Sequence, residues 1–215
     1  PLTIITGYLE TISGIEINNV ERNRMLAEMV VQTKRMDELI NNLLLLSKLE
    51  KSDPIKNKRR TNIGLLVNEL SKLAANIDKG QHSISFDIEN NVFVSGTEDN
   101  LRSAFWNLIN NAIIYNKKGG KIKVSCLNSE EGKAVFAVRD NGPGIEAHHI
   151  DKLTERFYRV DSAGSGESRG TGLGLSIVSE IVQKYGASLK IESQPNIGSK
   201  FSIIFPPIVT NDEIR

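Results

Sequence analysis

The chain has 215 residues, 39% of them hydrophobic and 25% charged, which suits one or two ordinary globular domains. A net charge of +1 leaves no global field to attract nucleic acid or an anionic membrane. A single cysteine excludes an intrachain disulfide and fits a reducing compartment, and His82, His148 and His149 are too scattered for a zinc signature.

No apolar run approaches the length of a bilayer span, and no signal peptide is expected within these residues. The chain opens at Pro1, so a piece of something longer is expected. Residues 1–53 read as two helices. Leu2, Ile5, Leu9 and Ile12 form a seam on the first, and Ser13-Gly14 breaks it. Met29, Thr33, Met36, Ile40, Leu43 and Ser47 continue a heptad-like stripe on the second. One helical hairpin cannot bury such a seam alone, and two make a four-helix bundle, so a homodimer is expected rather than packing within the chain. Pro54 ends the second helix, and the basic run Lys56 to Arg60 reads as a solvated linker over 54–62.

From Ile63 to residue 207 the pattern is α/β, before a short tail at 208–215. A helix is expected over 63–77, strands at 83–88 and 92–94, and a helix from Thr97 as N-cap to Tyr115. Strands follow at about 121–127 and 133–140, the first with Cys126 on its core side. After a short helix near 146–153, residues 159–171 read as a Gly/Ser-rich loop. A helix over 172–185 ends at Gly186, and strands at 188–193 and 199–205 close the domain.

Three stretches carry chemistry. Asn107 and Asn111 lie four apart on one face of the long helix, beside the apolar stripe of Leu101, Phe105, Leu108 and Ala112. Their amide oxygens suit a hard cation already holding phosphates and waters, as Mg²⁺ does. A solvent-facing polar stripe is the plainer alternative, and Asn110 fits it. Asp140 follows a strand where a sheet edge opens, and its carboxylate can accept from the exocyclic amine of adenine. Gly142 and Gly144 would let the base approach backbone, although Asp-Asn-Gly-Pro-Gly is also good turn material. Gly170, Gly172 and Gly174 open a helix whose N–H groups can bind phosphate. The spacing is neither a Walker A loop nor a dinucleotide fingerprint. Arg159 and Arg169 flank the loop and could neutralise phosphate charge.

Asn107 to Ala112, Asp140 to Gly144, Glu155 to Asp161 and Gly170 to Leu175 resemble the N, G1, F and G2 boxes of sensor histidine kinases. That family shares a superfamily with gyrase, the Hsp90 chaperone and MutL. The stretch Leu43 to Glu50 is similar to the end of its dimerisation and phosphotransfer hairpin. Pro1 to Thr3, Gly7 to Glu10 and Leu153 to Asp161 look most like the phosphate-regulon branch. The resemblance implies an α+β chain: a helical hairpin, then an α/β sandwich that binds ATP and Mg²⁺, with helices on one face of a mixed sheet. It implies that Asn111 holds the metal and acts with Arg169 in catalysis. Asn107, Tyr115, Asp140, Gly142, Gly144, Arg159, Gly170, Gly172, Leu173 and Gly174 would bind the nucleotide. The activity implied is a protein-histidine kinase of a two-component system, the cytoplasmic portion of a membrane protein. Its partners would be a second copy and a response-regulator receiver domain, that of the phosphate regulon, and no nucleic acid.

Two departures stand out. Where many members carry a lysine three residues after the metal-binding asparagine, this chain has Ile114. The family's His-Glu-x-x-Thr-Pro acceptor sequence is matched only by Pro1, and no histidine occurs in residues 1–53. This chain is therefore expected not to phosphorylate itself. A nucleotide-binding module without transfer activity, or an anti-sigma-type Ser/Thr kinase, are the alternatives, and the helical pair argues against the second.

Overall fold

The structure is a computed structural model and describes residues 1–14, 17–51, 59–160 and 170–208. The chain divides after Ser47 into two compact units, each taken by itself below.

The first unit is helical. Helix α1 spans Leu2–Gly14 and α2 spans Asn19–Lys51, the latter about 50 Å long at 1.5 Å per residue. Asn18 caps α2: its Oδ1 accepts from the Glu21 backbone N–H at 2.8 Å. Lys48 and Lys51 in the last turn oppose the negative end of the helix dipole. No residue of α1 is buried.

The larger unit is a mixed sheet with helices on one face. A two-stranded antiparallel ribbon pairs β1 (Arg60–Asn62) with β3 (Phe93–Ser95). β1 falls in the stretch expected to be linker. Three polar residues carry no readable alternation, and the pairing comes from a partner more than thirty residues on. Asn62 then caps α3 (Ile63–Asp78), accepting from Leu65 N–H at 3.2 Å.

The main sheet has the order β2–β4–β5–β7–β6, with β2 (Ser83–Ile88), β4 (Lys121–Asn128), β5 (Ala134–Asp140), β6 (Ser188–Gln194) and β7 (Gly198–Ile204). Only β2 and β4 run parallel, and α4 (Glu98–Tyr115) lies in the connection between them. A short α5 (Ala147–Ile150) precedes α6 (Gly174–Lys184). Ile122, Val124 and Cys126 of β4 are buried, while Lys121 and Lys123 are exposed, the alternation of a half-covered sheet. Burial pushes the Cys126 thiol up to about 12, so it is an inert core residue.

The core is knit across layers. Phe105 of α4 stacks on Phe136 of β5 at 4.1 Å, and Phe205 meets Phe105 edge-on at 6.2 Å. Thr97 has the extended backbone of an N-cap, but its hydroxyl makes no cap bond. It meets the Tyr185 hydroxyl at 3.0 Å instead, and Asn100 donates to the same oxygen at 2.7 Å. Tertiary bonding outcompetes the local cap. Helix α6 starts at Gly174, two residues later than the expected 172, because Gly172 sits at φ +72°, outside the helical region. Gly186, at φ +64°, ends it as expected. Burial alone would raise the Asp78 carboxyl, but hydrogen bonds from the His82 ring and backbone hold it below its ordinary value.

Candidate functional site

The site is built where α4, the turn after β5 and the start of α6 meet. The apolar stripe of α4, Leu101, Ala104, Phe105, Leu108, Ile109 and Ala112, is buried against the domain. That fixes the rotation of the helix and leaves Asn107, Asn110 and Asn111 half-buried at its margin. Asn107 Nδ2 donates to the Ser103 carbonyl at 2.8 Å. Its Oδ1 points at the start of α6: a Cβ on Gly174 would come within 2.7 Å of it.

Each glycine of the candidate site has a close neighbour within the protein, besides the room for a ligand expected of it. At Gly144, φ +69°, a Cβ would lie 2.0 Å from the Gln194 carbonyl oxygen, so that space belongs to the β6–β7 turn. At Gly172 it would lie 2.8 Å from the Phe157 backbone, and at Gly170 2.9 Å from the Tyr115 hydroxyl. At Gly142 it would meet Asp140 Oδ1 at 2.8 Å. The glycines let the elements of the site close on one another, a use of missing side chains as direct as ligand access.

Asp140 ends β5. Its Oδ1 accepts from Gly142 N–H at 2.8 Å. Burial raises the carboxyl above its ordinary value, and the Gly142 and Ser199 backbone N–H groups pull partly back. It is therefore a partly desolvated acceptor, where a hydrogen bond from a neutral donor counts for more than in water.

The segment around residue 157 forms the third wall. Phe157 has φ +65°, rare for a bulky residue, and its N–H donates to the Gly172 carbonyl at 2.9 Å. Tyr158 meets His149 Nδ1 at 2.6 Å through its hydroxyl. Arg159 Nη1 reaches the Gly170 carbonyl at 3.4 Å. Leu173 is fully buried and anchors the start of α6 from below.

The structure thus brings together Asn107 with Gly174, Tyr115 and Arg159 with Gly170, and Asp140 with Gly142. Asn111 lies one turn beyond Asn107 on α4. Arg169 lies outside the described residues, as does most of the loop expected over 159–171. Sequence reasoning gave no site role of their own to Asn116, Phe157 and His149. Asn116 donates to the Lys121 carbonyl at 3.3 Å and also lies beside Gly142 and Gly120. It read only as turn material. Among the described residues no group of three or more His, Cys, Asp or Glu could hold a metal ion. The donors at hand are amides, which fit a cation that arrives with phosphates rather than one bound alone. No helix among the described residues is long and apolar enough to cross a membrane.

Residues 96–209 match the family described as histidine kinase-, DNA gyrase B- and HSP90-like ATPase, and residues 1–52 match the His Kinase A (phospho-acceptor) domain. The chain is 41% identical over 209 residues to the phosphate regulon sensor protein PhoR of Pseudomonas aeruginosa, covering 96% of this chain and 47% of that protein. It is 39% identical over 206 residues to the PhoR protein of Haemophilus influenzae, covering 96% and 48%. The chain therefore spans about half the length of the curated relatives it matches. Among solved structures, the histidine kinase AdeS of Acinetobacter baumannii shares the fold with a TM-score of 0.73 at 24% identity, covering 95% of this chain and 94% of that one. The expected order of helices followed by an α/β ATP-binding domain is what these matches carry, and the chain belongs to the sensor histidine kinase family, with phosphate regulon sensor proteins among its relatives.

Proposed function

We propose that this chain is the cytoplasmic core of a membrane-bound sensor kinase that binds Mg-ATP and passes its γ-phosphoryl group to a histidine, and from there to an aspartate of a response regulator. The observation that carries the reading is the close approach of Asn107 on α4 to Gly174 at the start of α6, with a half-buried Asp140 held by Gly142 at the end of β5. Three polar or glycine-rich stretches far apart in sequence converge on one side of the sheet.

In this reading Asp140 accepts from the adenine amine, and its raised carboxyl reflects a site made to hold one hydrogen bond out of water. The first N–H groups of α6, with Gly170, Gly172, Leu173 and Gly174, face the phosphates. Asn111 supplies an amide oxygen to Mg²⁺, and Asn107, fixed by Ser103, keeps the phosphate side of the pocket in place. Tyr115 flanks the nucleotide. Arg159 and Arg169 offset the charge that spreads over the transferring group. Bound ATP supplies the phosphoryl group; the chain's work is positioning and charge. Lys117 or Lys118 would take over the contact missing at Ile114, both being exposed just beyond α4.

The helical unit would pair with a second copy, and the phosphate-regulon regulator is proposed as partner because two relatives are phosphate regulon sensor proteins. Calorimetry tests the metal assignment. Asn111→Ala should remove the Mg²⁺ dependence of ATP binding, and Asn110→Ala should leave it. Identical behaviour of the two variants would remove Asn111 from the metal.

A further inference from the structure

The face of the sheet turned away from α3, α4 and α6 carries a pattern that the nucleotide reading does not use. Register places Lys123, Arg139 and Lys200 directly opposite one another on β4, β5 and β7. Adjacent strands lie about 4.8 Å apart, so three cations line up within about 10 Å. Like charges facing each other across strands destabilise a sheet. Two acids offset part of this: Asp87 meets Lys123 at 3.1 Å, and Glu192 lies 3.8 Å from Lys200 while pairing with Lys190 at 3.0 Å. Arg139, in the middle, has no acid within ion-pair distance among the described residues. These pairs are half-exposed and worth little, so a ligand can displace them.

The row is also recessed. A cavity of about 200 Å³ lies over it, its walls including Lys123, Ser125, Ala137, Arg139 and Lys200. An open groove of about 700 Å³ continues past Ser83, Ser85 and Lys121. Ser202, beside Lys200 on the same face, is buried and its hydroxyl has no hydrogen-bond partner. Arg139 and Asp140 are adjacent in β5 and so project to opposite faces. The open groove nevertheless reaches Asp140 and Asn141, so the row adjoins the nucleotide site rather than lying within it.

We propose that this row is a binding site for a small anion carrying several linked phosphates, gripped by the Arg139 guanidinium with Lys123 and Lys200 on either side. The guanidinium fork matches phosphate oxygens two at a time, and flanking ammonium groups serve as point charges. The row is donor-rich, with the Ser85 and Ser125 hydroxyls beside the cations, as an acceptor-only ligand requires. Leu127 and Ala137 line the cavity, but no aromatic side chain does, and the aromatic anchors that most often carry a protein interface are missing, which disfavours an acidic protein.

The test is a titration with tripolyphosphate, free of Mg²⁺ and at constant ionic strength, followed by backbone amide shifts. Shifts should localise to β4, β5 and β7 around residues 123, 139 and 200 and persist with saturating ADP. Orthophosphate should bind about tenfold or more weakly, and the K123Q/R139Q/K200Q variant, checked by its unchanged ADP affinity, should lose about tenfold or more. Shifts absent from those strands, or confined to 170–175 and erased by ADP, would overturn the proposal. So would an equal response to sodium chloride, or stronger binding by an octaglutamate peptide. The nucleotide reading survives any of these outcomes, because the ADP arm reports on it separately.

Discussion

Helices α1 and α4 are both rich in apolar residues, and they are used in opposite ways. In α4 the whole stripe from Leu101 to Ala112 is buried within the larger unit. In α1 nothing is buried, and Leu2 and Leu9 are 65% and 48% exposed. In α2 the end of the helix buries Leu46 and Leu49, but Ile40 and Leu43 of the stripe remain 51% and 44% exposed. Isolated exposed leucines are ordinary, but a repeating seam of them is a surface waiting for a partner. The larger unit can fold on its own burial; the helical unit has a seam to complete. Chemistry divides the same way: the nucleotide stretches and all three histidines lie in the larger unit, and the seam carries no imidazole.

The sharpest test of that division is all-or-none. Incubated with labelled ATP, the 215-residue chain should acquire no acid-labile, base-stable phosphate. Phosphoryl transfer needs an acceptor nitrogen in line with the γ-phosphate. His82 is buried against Asp78, and His149 Nδ1 is engaged by Tyr158. Label mapped to His82, His148 or His149 would place the chemistry wholly inside the larger unit and break the comparison.

Self-association is the next largest effect. Burying a Leu or Ile side chain contributes about 1.5–3 kcal/mol, so Ile40→Glu with Leu43→Glu should weaken a dimer by two orders of magnitude or more. ADP affinity should not change, since the nucleotide stretches lie in the other unit. Sedimentation measures the first and calorimetry the second. Unchanged mass with intact helicity would mean the seam is not the contact.

Inside the larger unit, glycine substitutions separate close approach from backbone freedom. Gly144→Ala puts a Cβ 2.0 Å from the Gln194 carbonyl at φ +69°. It should cost about 3 kcal/mol or more, by strain and forced displacement together. Gly80→Ala, at φ +76° with nothing nearby, should cost only the left-handed penalty of about 1–2 kcal/mol. Equal melting temperatures for the two variants would show that the β6–β7 turn yields freely.

Much of this was open to sequence reasoning, and the exceptions share a cause. The stripe of α4, the alternation of β4 and the stop at Gly186 follow local periodicity and backbone preference, which a linear reading captures. The ribbon of β1 with β3, the Tyr185 hydroxyl that captures Thr97, and the left-handed Phe157 depend on partners distant in sequence. The site glycines lie between the two cases. Their positions announced that something approaches closely, but whether that something is a phosphate or the protein's own Gln194, Phe157 and Asn107 needed coordinates. The role expected of Arg169 falls outside the described residues.

The effect at Asp140 has two signs, and both should appear in one variant. Burial raises the native carboxyl of Asp140 above its unfolded value. A raised native value means that the folded state holds the proton more tightly. The stabilisation is complete below the ordinary carboxylate range and is lost as pH rises through the raised value. At neutral pH the ionised group is therefore a cost to the empty fold. Asp140→Asn keeps an acceptor for Gly142 N–H and removes that charge, so the nucleotide-free variant should melt slightly higher than the parent at pH 7, with the difference shrinking in acid. The same change replaces a charged acceptor by a neutral one opposite the adenine amine. Hydrogen bonds to charged groups contribute about 1.5–3 kcal/mol, so ATP affinity should fall by roughly ten- to a hundredfold, towards that for GTP. A variant that is both less stable and unchanged in affinity would make Asp140 a structural turn residue, and the larger unit would lose its reader of the base.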